Sequence, residues 1–256
     1  MKNMLLLASV LLFASCTCSR ENMKFSLSDN RQVVTEQRAL KGFEAIEIAG
    51  SPTVYYQQAD SFSVKVKGPQ ELVDCIITDV SSGTLSIRNR GKVGVFNIHW
   101  GDDTHLAVYV TSPDLVSVRV GGSGEFISQH PVDTDVMDIS LKGSGDVEFA
   151  QLLCDRCNLE LVGSGDATIH HLDTRQTDIA LTGSGDVDVS QINAVATRIS
   201  LRGSGDVDVN FGTGCGSVDA ELHGSGDISL SGRVRTSTIQ KHGSGDIDTD
   251  RLKVGN

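Results

Sequence analysis

Apolar and polar residues alternate along most of this chain, and from about residue 115 one tetrapeptide interrupts the alternation at near-constant intervals. Gly-Ser-Gly-Asp, with Glu in place of Asp in the first copy, begins at Gly122, Gly143, Gly163, Gly183, Gly203, Gly224 and Gly243. The spacings are therefore 21, 20, 20, 20, 21 and 19 residues. The flanks repeat as well, as apolar-x-apolar-x before the tetrapeptide and apolar-x-apolar after it. Ile139, Leu141, Val147 and Phe149 fill that frame once; Ile179, Leu181, Val187 and Val189 fill it again, and Ile199, Leu201, Val207 and Val209 a third time. A period of two belongs to strands. Self-similarity every twenty residues belongs to stacked units, none of which can bury its apolar face alone. Twenty residues at ~3.3 Å each make a contour of roughly 66 Å, enough for one coil of three short sides. Coils ~4.8 Å apart would pair each strand with its equivalents above and below. The pattern predicts an all-β chain, a parallel β-helix or β-solenoid with about 20 residues per coil, preceded by a less regular β section.

The tetrapeptide is the expected corner of each coil. In the four best copies it comprises Gly143, Ser144, Gly145 and Asp146; Gly163, Ser164, Gly165 and Asp166; Gly183, Ser184, Gly185 and Asp186; and Gly203, Ser204, Gly205 and Asp206. Glycine permits positive φ and close approach of neighbouring backbones. Asp can accept from backbone N–H groups of its own turn. Residues two before the first glycine and one after the Asp should form continuous inward ladders.

Upstream, Ile46-x-Ile48-x-Gly50-Ser51-Pro52-Thr53-Val54-x-Tyr56 matches the frame position for position, as a degenerate coil. Strands are predicted at Phe62 to Val66, Leu85 to Arg88, Val93 to Ile98, Leu106 to Val110 and Leu115 to Val120. Leu72 to Val80 is ambiguous between strand and helix. Residues 41–120 then form the N-terminal β section and 121–256 the repeat solenoid. Residues 1–15 have the layout of an export signal: Lys2, an apolar stretch from Leu5 to Phe13, and small residues ahead of Cys16. Phe13-Ala14-Ser15-Cys16 resembles the bacterial lipobox, which implies a lipid on Cys16 and a membrane anchor; an ordinary secretory signal is the plainer alternative. Thr17 after it would, in the enterobacterial sorting pattern, direct a lipoprotein to the outer membrane. The apolar run falls well short of the ~20 residues that cross a bilayer as a helix. Residues 16–40 are polar without sustained period and are expected to be a flexible tether.

Leu40-Lys41-Gly42-Phe43, the Gly50 corner, Gly83-Thr84-Leu85-Ser86-Ile87 and the Gly-Ser-Gly-Asp ladder occur in that order. Together they resemble the putative auto-transporter adhesin, head GIN domain family, over roughly residues 40 to 250. The chain departs from it in lacking a Gly-Ile-Asn at the equivalent corner. The resemblance implies exported lipoproteins of Bacteroides-like bacteria, a β-helix-like fold and an adhesin-like label, with no catalytic residues to carry over.

Composition narrows function further. A formal net charge of −11 with scattered Lys and Arg excludes nucleic acid as a partner, because phosphates require basic patches. The corner acids Asp146, Asp166, Asp186, Asp206, Asp227 and Asp246 would stack near 4.8 Å, repelling by roughly 0.8 kcal/mol per pair in water. A calcium ladder would relieve that repulsion; the alternative, preferred here, is that each Asp caps amides of its own corner and needs no neighbour. Cys154-Asp155-Arg156-Cys157 has redox spacing without a helix behind it, so a local disulfide is the most it suggests. Cys154 and Cys215 share a phase three coils apart, too far to bridge. His223 and His242 precede successive tetrapeptides and should stack; they could hold a metal or simply decorate the surface. His170 and His171 are expected in a turn, without partners. No nucleophile–base pair or phosphate loop stands out, so no cofactor and no catalysis are expected. The reading is a non-catalytic binding or scaffold module with a protein or glycan ligand; a cation-stabilised structural module and a glycan-active β-helix enzyme are the alternatives.

Overall fold

The computed structural model describes residues 32–90 and 106–255. The expected export signal, Cys16, most of the expected tether and the strand expected at Val93 to Ile98 lie outside these residues. The described residues belong to one compact unit. Of these, 72% are strand and 2% helix, wound as a β-solenoid of about seven turns with roughly 20 residues per turn.

The first part holds β1 (Val33–Arg38), β2 (Ala45–Gly50), β3 (Thr53–Gln58), β4 (Ser63–Pro69), α1 (Gln70–Val73), β5 (Ile76–Ser81), β6 (Thr84–Asn89), β7 (Ala107–Ser112), β8 (Ser117–Gly122) and β9 (Glu125–Ser128). The regular coils follow as β10 (Val132–Gly143), β11 (Asp146–Phe149), β12 (Leu152–Gly163), β13 (Ala167–Gly183), β14 (Asp186–Ile192), β15 (Ala196–Gly203), β16 (Asp206–Phe211), β17 (Ser217–Gly224), β18 (Ile228–Val234), β19 (Thr236–Gly243) and β20 (Ile247–Val254). Ahead of the corner, β8, β10, β12, β13, β15, β17 and β19 stack in parallel, glycine on glycine from Gly122 to Gly243. After the corner, β9, β11, the start of β13, β14, β16, β18 and β20 do the same. A third side runs through Leu152–Cys154 and its partners Val132–Thr134 and Leu172–Thr174. Between the third side of a coil and the strand ahead of the next corner two successive side chains face out, as at Asp155 and Arg156, and the alternation restarts out of step. That slip by one is how an alternating strand turns a corner while keeping its apolar residues inside.

The interior is a set of one-residue ladders. Val120, Leu141, Leu161, Leu181, Leu201 and Leu222 stack in register and are essentially fully buried. Each such side chain stabilises the fold by about 1.5–3 kcal/mol through burial. One buried polar cluster is paired within itself: Thr177 Oγ1 donates to Gln191 Oε1, and Gln191 Nε2 donates to Thr197 Oγ1, both at 2.6 Å, whereas the buried hydroxyls of Ser117 and Thr134 have no partner.

The frame match at Gly50 holds in three dimensions, since β2 pairs β8 with Gly50 opposite Gly122. The order of coils does not follow the chain, however. β2 and β3 lie between a coil containing β6 and β7 on one side and β8 and β9 on the other. The chain therefore lays its second coil first, goes back to form the one beneath, and then climbs. Below, the parallel pattern ends in antiparallel strands: β5 lies against β6, and β1 against β4, which is antiparallel to β7. The tether boundary at residue 40 is thus corrected, because Val33–Arg38 is a sheet strand. Its alternation is short and mostly exposed, and backbone pairing with β4 rather than apolar content holds it. The ambiguous Leu72 to Val80 resolves into the end of α1 followed by β5.

Candidate functional site

At the corners the backbones of successive coils meet without side chains between them. The Ser184 N–H donates to the Gly163 carbonyl at 2.8 Å, and Ser164 to Gly143 and Ser204 to Gly183 at the same distance. A Cβ built on Gly185 would fall on the carbonyl oxygen of Gly165, and one on Gly183 on that of Gly163. Gly183 also has φ +140°, which L side chains rarely adopt. The tetrapeptide is what this closeness of approach requires.

The aspartates differ from expectation in where their donors come from. Asp146 Oδ1 accepts from the backbone N–H of Asp166 at 3.1 Å, Asp166 from Asp186 at 3.0 Å and Asp186 from Asp206 at 3.2 Å. Asp206 accepts from Asp227 at 3.0 Å and Asp227 from Asp246 at 2.7 Å. Each carboxylate therefore caps the next coil, not its own corner. The physical reason is reach: coils one strand spacing apart put the neighbour's N–H within one hydrogen bond of an outward Asp side chain. Glu125, one methylene longer, turns instead to the Thr53 hydroxyl at 3.2 Å, and the Asp146 N–H bonds the Gly124 carbonyl. The sixth rung, Asp246, pairs with Lys241 Nζ at 3.2 Å.

The thiols of Cys154 and Cys157 on β12 are both free, joined by a hydrogen bond and not by a disulfide. That bond and complete burial hold the Cys157 thiol well above its usual range, which makes it a core residue rather than a nucleophile. His170 sits within β13, not in a turn, and its Nε2 lies 3.1 Å from Glu148 Oε1, so it has a partner after all. His223 and His242 do stack, with ring centroids 4.8 Å apart.

A cleft that no motif announced lies on the outer face of the first coils. Tyr55 on β3 and Tyr109 on β7 occupy paired positions, two residues beyond the corner, and their rings stack at 5.4 Å and 16°. Lys65 pairs with Tyr109 from β4, and Ile127 with Tyr55 from β9. With Gln57, Thr111, Gln129 and His130 they line a cleft of about 360 Å³. Tyr109 is 41% exposed, whereas the neighbouring Tyr56 points inward, bonded to Ser112 Oγ at 3.0 Å. Burial pushes the Tyr56 hydroxyl up to about 12, and burial with the nearby Glu125 raises that of Tyr55. Both phenols are therefore neutral hydrogen-bonding groups at physiological pH. A flat aromatic pair ringed by amides, a hydroxyl and a cation suits a ligand that stacks and hydrogen-bonds at once. The sequence signal for it was faint. Ala107-Val108-Tyr109-Val110 repeats Thr53-Val54-Tyr55-Tyr56, but no corner tetrapeptide marks it. A second outer groove, beside Asp138, Asn158, Asp178 and Arg198, is closed in on itself: Asn158 Nδ2 donates to Asp138 Oδ1 at 2.6 Å, and Arg198 faces Asp178 at 3.7 Å.

Comparison with known proteins places the chain among like structures. The family model described as "Putative auto-transporter adhesin, head GIN domain" matches residues 42–214 and again 177–256, the family that the motifs resemble. A solved putative adhesin from Bacteroides fragilis is 25% identical, with a TM-score of 0.77 over 86% of this chain and 97% of its own. A putative adhesin from Parabacteroides distasonis, 18% identical, superposes with a TM-score of 0.69 over 86% and 97%. A protein from the same species described as a putative lipid binding protein, 20% identical, gives 0.64 over the same shares. No curated protein matches the chain.

Proposed function

The chain belongs to the family described as putative auto-transporter adhesin, head GIN domain, and from that premise we propose that it is an adhesin-like binding module of the cell envelope. It is exported, carries a lipid on Cys16 and holds its solenoid at the membrane surface, where it binds a protein or glycan without chemical conversion. The stacked pair of Tyr55 and Tyr109 is the observation that carries this reading, since it puts aromatic surface and polar donors in one open cleft. The export signal and the Cys16 lipobox pattern support the location. The repeated coils support a non-catalytic role, because equivalent residues recur as ladders along the outer faces, whereas a catalytic centre concentrates unlike groups at one place.

The test uses purified protein against a panel of glycans and extracellular proteins, with parallel fractionation of cells. Wild type is expected to bind a member of the panel without releasing product. Tyr55→Ala with Tyr109→Ala should weaken that binding at least tenfold while melting within a few degrees of wild type. Cys16→Ser should move the protein from membrane to soluble fractions. Binding that survives loss of both tyrosines removes the cleft from the proposal; release of shortened glycan makes the protein an enzyme; an unacylated wild type removes the anchor.

A further inference from the structure

Near the end of the solenoid, His223 on β17 and His242 on β19 occupy paired positions just before the corner glycines of successive coils. Their rings are nearly parallel, at 19°. Glu221, two residues before His223 on the same outward face, places its Oε1 2.6 Å from His223 Nε2. One ligand atom from each of the three groups can be taken so that all lie within 4.8 Å of one another. The geometry points to a binding site for a divalent transition metal of the zinc, copper or nickel class, held by Glu221, His223 and His242. This goes beyond the proposed binding function and uses none of the residues of the tyrosine cleft.

The donor set selects the metal class. Two imidazoles and one carboxylate suit Zn²⁺, Cu²⁺ and Ni²⁺, whereas Ca²⁺ prefers six to eight oxygens. Bond lengths of ~2.0–2.2 Å around a tetrahedral ion put ligand atoms ~3.3 Å apart, so modest side-chain rotation closes the site without moving the strands. Arg202, paired with His223 from the coil below, opposes a cation, but its guanidinium is turned to the Ser200 hydroxyl at 2.7 Å. The metal replaces the hydrogen bond between Glu221 and His223, and the imidazole then keeps its proton on the other ring nitrogen.

The position gives the site a purpose. β19 pairs with β17 alone among the described strands, and most of its residues are exposed. A strand with few buried contacts opens at low cost. A metal spanning β17 and β19 would clip this outermost ladder to the coil beneath it.

The experiment titrates zinc chloride into the chelator-treated full chain, with calorimetry, thermal melting and amide exchange as readouts. One zinc per chain is expected, with a melting rise of several degrees and slower exchange in β19. Calcium chloride should produce neither effect. His242→Ala and His223→Ala should each weaken binding at least tenfold, and Glu221→Gln less so. These side chains are partly or fully exposed, so the metal-free variants should melt like wild type; where one does not, His242→Gln supplies the same comparison with closer volume. Zinc affinity unchanged by both histidine substitutions, or no saturable binding at one ion per chain, overturns the assignment.

Discussion

Asp186 illustrates how a single residue acts across the repeat. Its neighbours along the chain, Gly185 and Val187, face the interior while its own carboxylate lies outside and accepts from the Asp206 N–H in the next coil. Asp186→Ala removes that acceptor and is expected to cost at most about 1 kcal/mol, because the freed N–H is near water. Asp186→Asn keeps an acceptor oxygen and should cost less. Asp246 has no described coil beyond it to cap and meets only Lys241 at an exposed site, so Asp246→Ala should cost under about 0.5 kcal/mol. Urea unfolding of the three variants checks the order. Equal losses for Asp186→Ala and Asp246→Ala would mean that the carboxylates do not work between coils. The presence of an acceptor at this position was legible from the repeated Asp; its direction was not, because a sequence period does not say whether a side chain bonds its own turn or the next.

At the scale of the element, the strand ladders set one spacing around the whole coil, and the corner must accept it. Side-chain ladders such as Leu161, Leu181 and Leu201 fill the interior at that spacing. The corner has no such freedom, since Gly165 and Gly185 lie backbone to backbone. Gly185→Ala should therefore force the coils apart locally and strain ladders on both sides, at a cost of at least about 3 kcal/mol, the upper range for overpacking. Ser184→Ala, one residue away and facing solvent, should stay within about 0.5 kcal/mol. Chemical denaturation of both tests the pair, and a Gly185→Ala protein as stable as Ser184→Ala would show that the corner can open freely. Strand existence was plain from the period of two. The break between the third side and the strand ahead of the next corner was less so, being marked only by two successive polar residues such as Asp155 and Arg156.

For the molecule as a whole, the problem of a stacked sheet is its ends. A parallel solenoid leaves unpaired N–H and C=O groups on its terminal coils, which invite further strands. Here the beginning is closed by β5 and by β1 on β4. Removing the chain through Arg38 strips β1 and bares the outer edge of β4, so the truncated protein should form larger assemblies than the intact chain in light scattering after gel filtration. An unchanged molar mass per particle, scaled for the deletion, would show that β1 is dispensable for guarding that edge.

The repeat by itself determined the all-β class, the coil of about twenty residues, the inward ladders and the stacking of His223 on His242. Each of these depends only on position within a period, and a slip of one residue between identical units would turn every apolar residue outward. The tertiary structure alone decided the rest. It inserted the coil of β2 and β3 between coils formed later in the chain, made a cap of residues that looked like tether, passed each Asp cap to the next coil, and brought Tyr55 against Tyr109 across more than fifty residues. Those outcomes depend on which strand edges meet. A hydrophobic pattern specifies the face of a strand, while edge pairing runs through backbone groups that every residue except proline carries alike.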